Sequence, residues 1–231
     1  MARRNSLNLV RLILATSVIV SHSFALGGYG AEPSAAGRTL GTWAVIGFFC
    51  LSGYLIMGSR QRYGLGEFMV HRVARIYPAY IVSTILVVGV FAPIAYLVER
   101  GGLGGYLTQH PTTPLTYLWG NAFLEMKAYD VAGTLADVPY PGVWNGALWS
   151  LHYEFLCYLL LAALGLRAAL LRSRLTIAVL FVVFVVMHAN IQTAVSYVQQ
   201  GDVPLLVSLL PCFLGGSLLY LFRERLHLSL P

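Results

Sequence analysis

The sequence predicts an all-α fold, a polytopic helical bundle embedded in a membrane. Three observations predict it. Of the 231 residues, 58% are hydrophobic and only 10% charged, and mean hydropathy is +0.71, far from the composition of a soluble domain. Several apolar runs reach the roughly 20 residues that a helix needs to cross the hydrocarbon core. Basic residues gather in alternate connections, as they do on the cytoplasmic side of multi-span chains. One domain over residues 1–231 is expected, with no soluble domain of useful size.

Six spans are read along the chain. The first, about 8–27, follows Arg3 and Arg4. Its basic start and apolar stretch would also fit a signal peptide, but Arg11 and His22 inside the stretch favour a retained span. The second covers about 40–58 and the third about 76–98, with Arg60, Arg62, Arg72 and Arg75 between them. The segment 99–145 is rich in Gly, Pro and Tyr, and its piece "LTYLWGNAFL" is too short to span. An extracytoplasmic loop with an interfacial or re-entrant helix is expected there. The fourth span, about 146–166, is separated from the fifth, about 175–192, by Arg167, Arg172 and Arg174. The sixth, about 203–222, precedes Arg223 and Arg225, and the opposite side holds only Arg38, Arg100 and Lys127. This bias puts both termini in the cytoplasm. It also accounts for the net charge of +6 without invoking nucleic acid. Cys50, Cys157 and Cys212 lie in apolar runs without a CxxC pair, so they are read as small core residues and no metal site is expected.

Ionisable groups inside spans are expensive and mark function by default. Arg11 and His22 are eleven residues apart, nearly three whole helical turns, so they share a face with about 16 Å between them. Glu154 is the acid well inside a span. Its depth, counted from the outer end, matches that of His22, so a carboxylate orienting an imidazole is one reading and a helix-joining hydrogen bond to nearby Tyr or Trp is the other. His188 is a rival base; His152, two residues from Glu154, points elsewhere. Arg72 and Arg75, in "HRVARIYPAY", are neighbours on a helix, and two guanidiniums there form a forked site for phosphate. The plainer reading is a positive-inside anchor, with Arg60, Arg62 and His71 beside lipid headgroups. Pro78 is read as belonging to a helix's first turn.

Four motifs occur in order: Arg11 and His22 with ten residues between, "FFCLSGYLI" (48–56), "RVAR" (72–75) and "LWSLHYEFLCYLL" (148–160). Together they resemble the membrane-bound acyltransferase-3 family, over residues 8–165 best. The resemblance implies transfer of an acyl group, most often acetyl, from acyl-coenzyme A to a hydroxyl of a carbohydrate or lipid-linked glycan. It gives His22 the catalytic role and Arg72 and Arg75, with Arg11, the donor. The pantetheine arm would rise along the face from Arg11 to His22. No bound cofactor is expected, acyl-CoA being a co-substrate at the cytoplasmic face. Beyond the resemblance, Glu154 is expected to orient His22, and Ser52, Asn145 and Trp149 are candidate oxyanion or acceptor contacts. The expected setting is a bacterial inner membrane, with lipids around the spans. Family members carry more spans than six, so a C-terminally short chain is expected. A transporter or flippase is the alternative class, as is an inactive truncated paralogue. The paired broken helices of transporters are not seen.

Overall fold

A computed structural model describes residues 6–194 and 202–225; Arg3 and Arg4 lie outside the described residues. In chain order the elements are α1 (Ser6–Gly27), a two-strand hairpin β1 (Ser34–Ala35) and β2 (Arg38–Thr39), α2 (Leu40–Arg62) and α3 (Leu65–Leu86). A π-helical turn, Val87–Phe91, carries α3 into α4 (Ala92–Arg100). Then follow α5 (Pro114–Gly120), a 3-10 turn Gly146–Trp149, α6 (Ser150–Leu164), α7 (Ala168–Arg172), α8 (Arg174–Ala194) and α9 (Asp202–Leu221). Four helices are long and apolar enough to cross a membrane: Ser6–Gly27, Leu40–Arg62, Leu65–Arg100 and Gly146–Leu164. The fifth and sixth expected spans are helical too, but their apolar parts among the described residues, Arg174–Asn190 and Leu205–Leu221, are shorter.

The third span starts earlier than its apolar run. α3 begins at Leu65, so Arg72 and Arg75 sit within a helix and Pro78 is interior, not in a first turn. The apolar run marks only the lipid-facing part of this helix, and the helix continues below it because Phe68 is fully buried. An interior proline removes one backbone hydrogen bond, which membrane helices tolerate where the freed groups find other partners.

The chain divides into two compact units. The first comprises Met1–His22, Glu32–Val70 and Tyr153–Pro231. Its centre is α2 packed on α9, with α8 against the far side of α9. Glycine makes that contact close. A Cβ on Gly53 would stand 1.8 Å from the Phe213 carbonyl oxygen, and one on Gly216 would stand 1.8 Å from that of Cys50. Small residues let membrane helices approach backbone to backbone. Ser217, fully buried, donates to the Gly53 and Phe213 carbonyls at 3.2 and 3.1 Å.

Helix directions follow from paired contacts. Leu14 meets Gly47 and Ser21 meets Gly41, so α1 runs antiparallel to α2. Ser52 bonds Glu154 and Arg60 bonds the Ala162 carbonyl, so α6 runs parallel to α2. That is the alternation expected if the helix Leu65–Arg100 crosses between them. On α1, Arg11, Leu14, Ala15, Val18, Ser21 and His22 form the covered stripe, while Leu9, Leu12, Ile13 and Ile19 are exposed, the arrangement of a helix with one face to lipid.

Arg60 differs from the expected headgroup anchor. It is only 7% exposed. Its guanidinium donates to the Tyr63 and Ala162 carbonyls and lies over the Phe68 ring, 5.7 Å from the centroid. The last carbonyls of a helix lack intrahelical partners, and at the end of α6 Arg60 supplies one. The physical reason is Gly165, where any Cβ would fall 2.3 Å from the guanidinium.

The second unit comprises Ser23–Ala31 and His71–His152. Here the segment after α4 folds onto the helix around the π turn. Val87, Ala92, Tyr96, Tyr106, Tyr117, Val131 and Ala132 form its core. Tyr106 donates to the Val88 carbonyl at 2.6 Å, using an oxygen in the wide turn. Fully buried Asn121 orders the loop: its Oδ1 accepts from the Lys127 and Ala128 N–H groups and its Nδ2 donates to the Ala128 carbonyl. Tyr80 donates to the Asn121 carbonyl at 2.5 Å. The expected short helix is α5, which turns Tyr117 inward and leaves Leu115 and Trp119 exposed.

Candidate active site

The site is built first from the outer end of α1. His22 follows Ser21, the one residue α1 buries completely. After α1 the chain returns through the hairpin, whose turn Ala36–Gly37 has positive φ at both residues, 51° and 74°, the signature of a tight two-residue turn. The hairpin delivers Thr39 to the cap position of α2, where its hydroxyl accepts from the Thr42 N–H at 3.2 Å. The Leu40 N–H donates to the Pro33 carbonyl and the Gly41 N–H donates to Ser21 Oγ at 2.9 Å. The first three donors of α2, normally orphaned at a helix start, are thereby satisfied. Ser21 Oγ in turn donates to Glu32 Oε2. His22 lies on the same patch, with its Cε1 3.7 Å from where a Cβ on Gly41 would stand.

The second cluster is centred on Glu154. Ser52 Oγ donates to its Oε1 at 2.6 Å, and Tyr158 Oη, one turn further along α6, donates to the same oxygen at 2.5 Å. Both are charge-assisted when the carboxylate is ionised. Ser52 thereby commits its one proton to the carboxylate.

The two clusters are separate. His22 lies beside Gly41 and Glu154 beside Ser52, and eleven residues of α2 between them span about 16 Å. No hydrogen bond joins His22 to Glu154 among the described residues. The expected pairing from equal depth is therefore corrected. It counted both residues from span ends as though those ends were level, whereas α2 shows His22 at its outermost turn and Glu154 near its middle. The carboxylate brought close to the His22 turn is Glu32. Arg11 lies further inward on the same stripe of α1 as His22, as the periodicity predicts.

The remaining candidates lie in the second unit. Arg72 and Arg75 stand three apart on α3, Arg72 half-buried and Arg75 exposed. Asn145 adopts a left-handed conformation, φ 53°, at the start of the 3-10 turn, and its Nδ2 donates to Ser83 Oγ at 3.0 Å. Trp149 ends that turn, half-buried. The rival base His188 pairs through Nδ1 with Ser208 Oγ at 3.1 Å, joining α8 to α9. Among the described residues no cluster of His, Cys, Asp and Glu is arranged to hold a metal ion.

The pattern of the acyltransferase-3 family, described as "Acyltransferase domain", matches residues 4–230. The chain belongs to the acyltransferase-3 family. It is 33% identical over 187 residues to the "O-acetyl transferase" of Shigella phage Sf6, a match that takes in 80% of this chain and 52% of that protein. The chain thus spans about half the length of this curated relative. No solved structure matches it. Within this acyltransferase-3 domain, sequence reasoning missed Ser21, Glu32 and Tyr158. Tyr158 had a readable signal, being four residues from Glu154 on one helix face. Glu32 had none, because only the hairpin brings it back to α1.

Proposed function

We propose that the chain transfers an acyl group, acetyl in the first instance, from acyl-CoA to a hydroxyl of a carbohydrate or lipid-linked glycan. The match to the acyltransferase-3 family over nearly the whole chain carries this reading, and the name of the phage relative supports acetyl. In the proposed reaction His22 accepts the proton of the acceptor hydroxyl as its oxygen attacks the thioester carbonyl. The tetrahedral oxyanion then collapses, the C–S bond breaks, and the imidazolium returns the proton to the departing thiolate. General base catalysis of this kind is worth about 10²–10⁴-fold.

The place of His22 at the outer end of α1 supports an acceptor that arrives from outside. Arg72 and Arg75 offer paired guanidiniums for the donor's phosphates, and Arg11 continues the basic line along α1. Asn145 and Trp149 keep N–H donors suited to an oxyanion. Glu154 serves as a mid-span polar anchor between α2 and α6 through Ser52 and Tyr158. The bacterial inner membrane is the proposed setting.

The test is thiol release from acetyl-CoA by the purified protein in detergent, beside His22→Ala and the double variant Arg72→Ala/Arg75→Ala. Release that disappears in both variants supports the reading. Release that survives in His22→Ala removes His22 as the base.

A further inference from the structure

We propose that Glu32 is a positioning residue for His22, acting through the buried hydroxyl of Ser21. This rests on the acyl-transfer reading, in which His22 is the base. A general base needs a fixed ring orientation, and catalytic histidines are commonly held by a carboxylate on the ring itself. No such bond to the His22 ring is present among the described residues, so its orientation must come from the backbone turn that carries it. That turn is held at one point. Ser21 is fully buried and its hydroxyl uses both of its roles, accepting from the Gly41 N–H at 2.9 Å and donating to Glu32 Oε2.

Three features make this a built arrangement. Gly41 leaves the room: a Cβ there would stand 3.1 Å from Ser21 Oγ and 3.7 Å from His22 Cε1, so both side chains rest on the start of α2. The start of a helix carries partial positive charge, which favours a carboxylate nearby. The tight hairpin after Pro33 returns the chain so that Glu32 reaches back to α1 while Leu40 bonds the Pro33 carbonyl at 2.7 Å. Without the Glu32 acceptor, Ser21 keeps the Gly41 bond but has no partner for its proton, and its hydroxyl is free to rotate away from Gly41. The outer turn of α1, which buries nothing else, then loses its anchor and the His22 ring its resting place.

The experiment compares Glu32→Ala with Glu32→Gln, whose amide oxygen still accepts from Ser21. Initial rates of acetyl transfer give kcat and KM, and carbethoxylation of His22 by diethyl pyrocarbonate, followed by mass spectrometry, reports the ring's freedom without any turnover. Glu32→Ala is expected to lower kcat about tenfold with KM for acetyl-CoA unchanged, the scale of one lost buried hydrogen bond, and to speed His22 modification several-fold. Glu32→Gln restores both. Wild-type kcat and modification rate in Glu32→Ala overturn the proposal, as does a Glu32→Gln variant as impaired as the alanine. Should the wild type release no thiol at all, the acyl-transfer reading fails, while the modification rates still decide whether Glu32 holds His22.

Discussion

The contact between α2 and α9 makes the sharpest stability prediction. Gly216→Ala introduces a methyl carbon 1.8 Å from the Cys50 carbonyl oxygen and 3.0 Å from the Tyr54 nitrogen, where ordinary contact begins near 3.4 Å. Both neighbours are backbone and cannot rotate aside. The helices must separate by about 1.6 Å, the shortfall in that contact, and Ser217 loses its 3.2 Å bond to the Gly53 carbonyl while keeping the one to Phe213. Overpacking of this kind costs about 3 kcal/mol at its upper end. For a chain of this size that lowers Tm by about 6–12 °C. A thiol-reactive fluorophore reads it directly, because Cys50, Cys157 and Cys212 lie in α2, α6 and α9, with Cys157 fully buried. Gly89→Ala is the control, since nothing lies within 4 Å of a Cβ there; it should leave Tm unchanged or raise it slightly. A Gly216→Ala protein melting within about 1 °C of wild type, with unaltered thiol reactivity, would refute the close-contact argument.

His22→Ala should reduce acetyl transfer by about 10²–10⁴-fold without changing Tm, measured by thiol release on the detergent-purified protein. Arg72→Ala/Arg75→Ala should raise KM for acetyl-CoA at least about tenfold, one lost charge-assisted contact's worth, and leave KM for the acceptor alone. Arg60→Ala strips a partner from the Tyr63 and Ala162 carbonyls and should destabilise by about 1–3 kcal/mol, whereas exposed Arg62→Ala should leave the melting curve in place. Tyr158→Phe leaves Glu154 with Ser52 alone and should lower Tm by about 2–8 °C; an unchanged melting curve would mean the carboxylate does not rely on that bond.

Much of this architecture is readable from residue patterns. Every expected span is a helix, because a 20-residue apolar run has few other ways to satisfy its backbone in lipid. The shared face of Arg11 and His22 is also legible, since it depends on one helix and its period alone. What failed depends on two helices at once. Equal depths for His22 and Glu154 were inferred from span ends, and span ends do not record how far one helix slides along another. The fate of Arg60 was hidden for a related reason. A positive charge just below a span looks like every other inside anchor until Gly165, more than a hundred residues later, leaves space for its guanidinium. Glu32 shows the same limit, since a hairpin of four paired residues decides where its carboxylate ends up.

The π turn at Val87–Phe91 has a consequence for how this chain tolerates changes of length. The Ala92 N–H reaches back five residues to the Val87 carbonyl, so the turn holds one residue more than an α-helical turn would. Deleting Gly89, which touches nothing, would let the helix close into regular α geometry at no local penalty. It would also rotate everything beyond by about 100°, swinging Ala92 and Tyr96 off Tyr106, Val131 and Ala132. Loss of one codon there would thus leave the helix whole and unseat the loop that leans on it, while loss of a residue from the exposed glycines at 101–104 would pass with little effect. The odd residue acts as a phase setter, and its place in the chain is where insertions and deletions should be least tolerated.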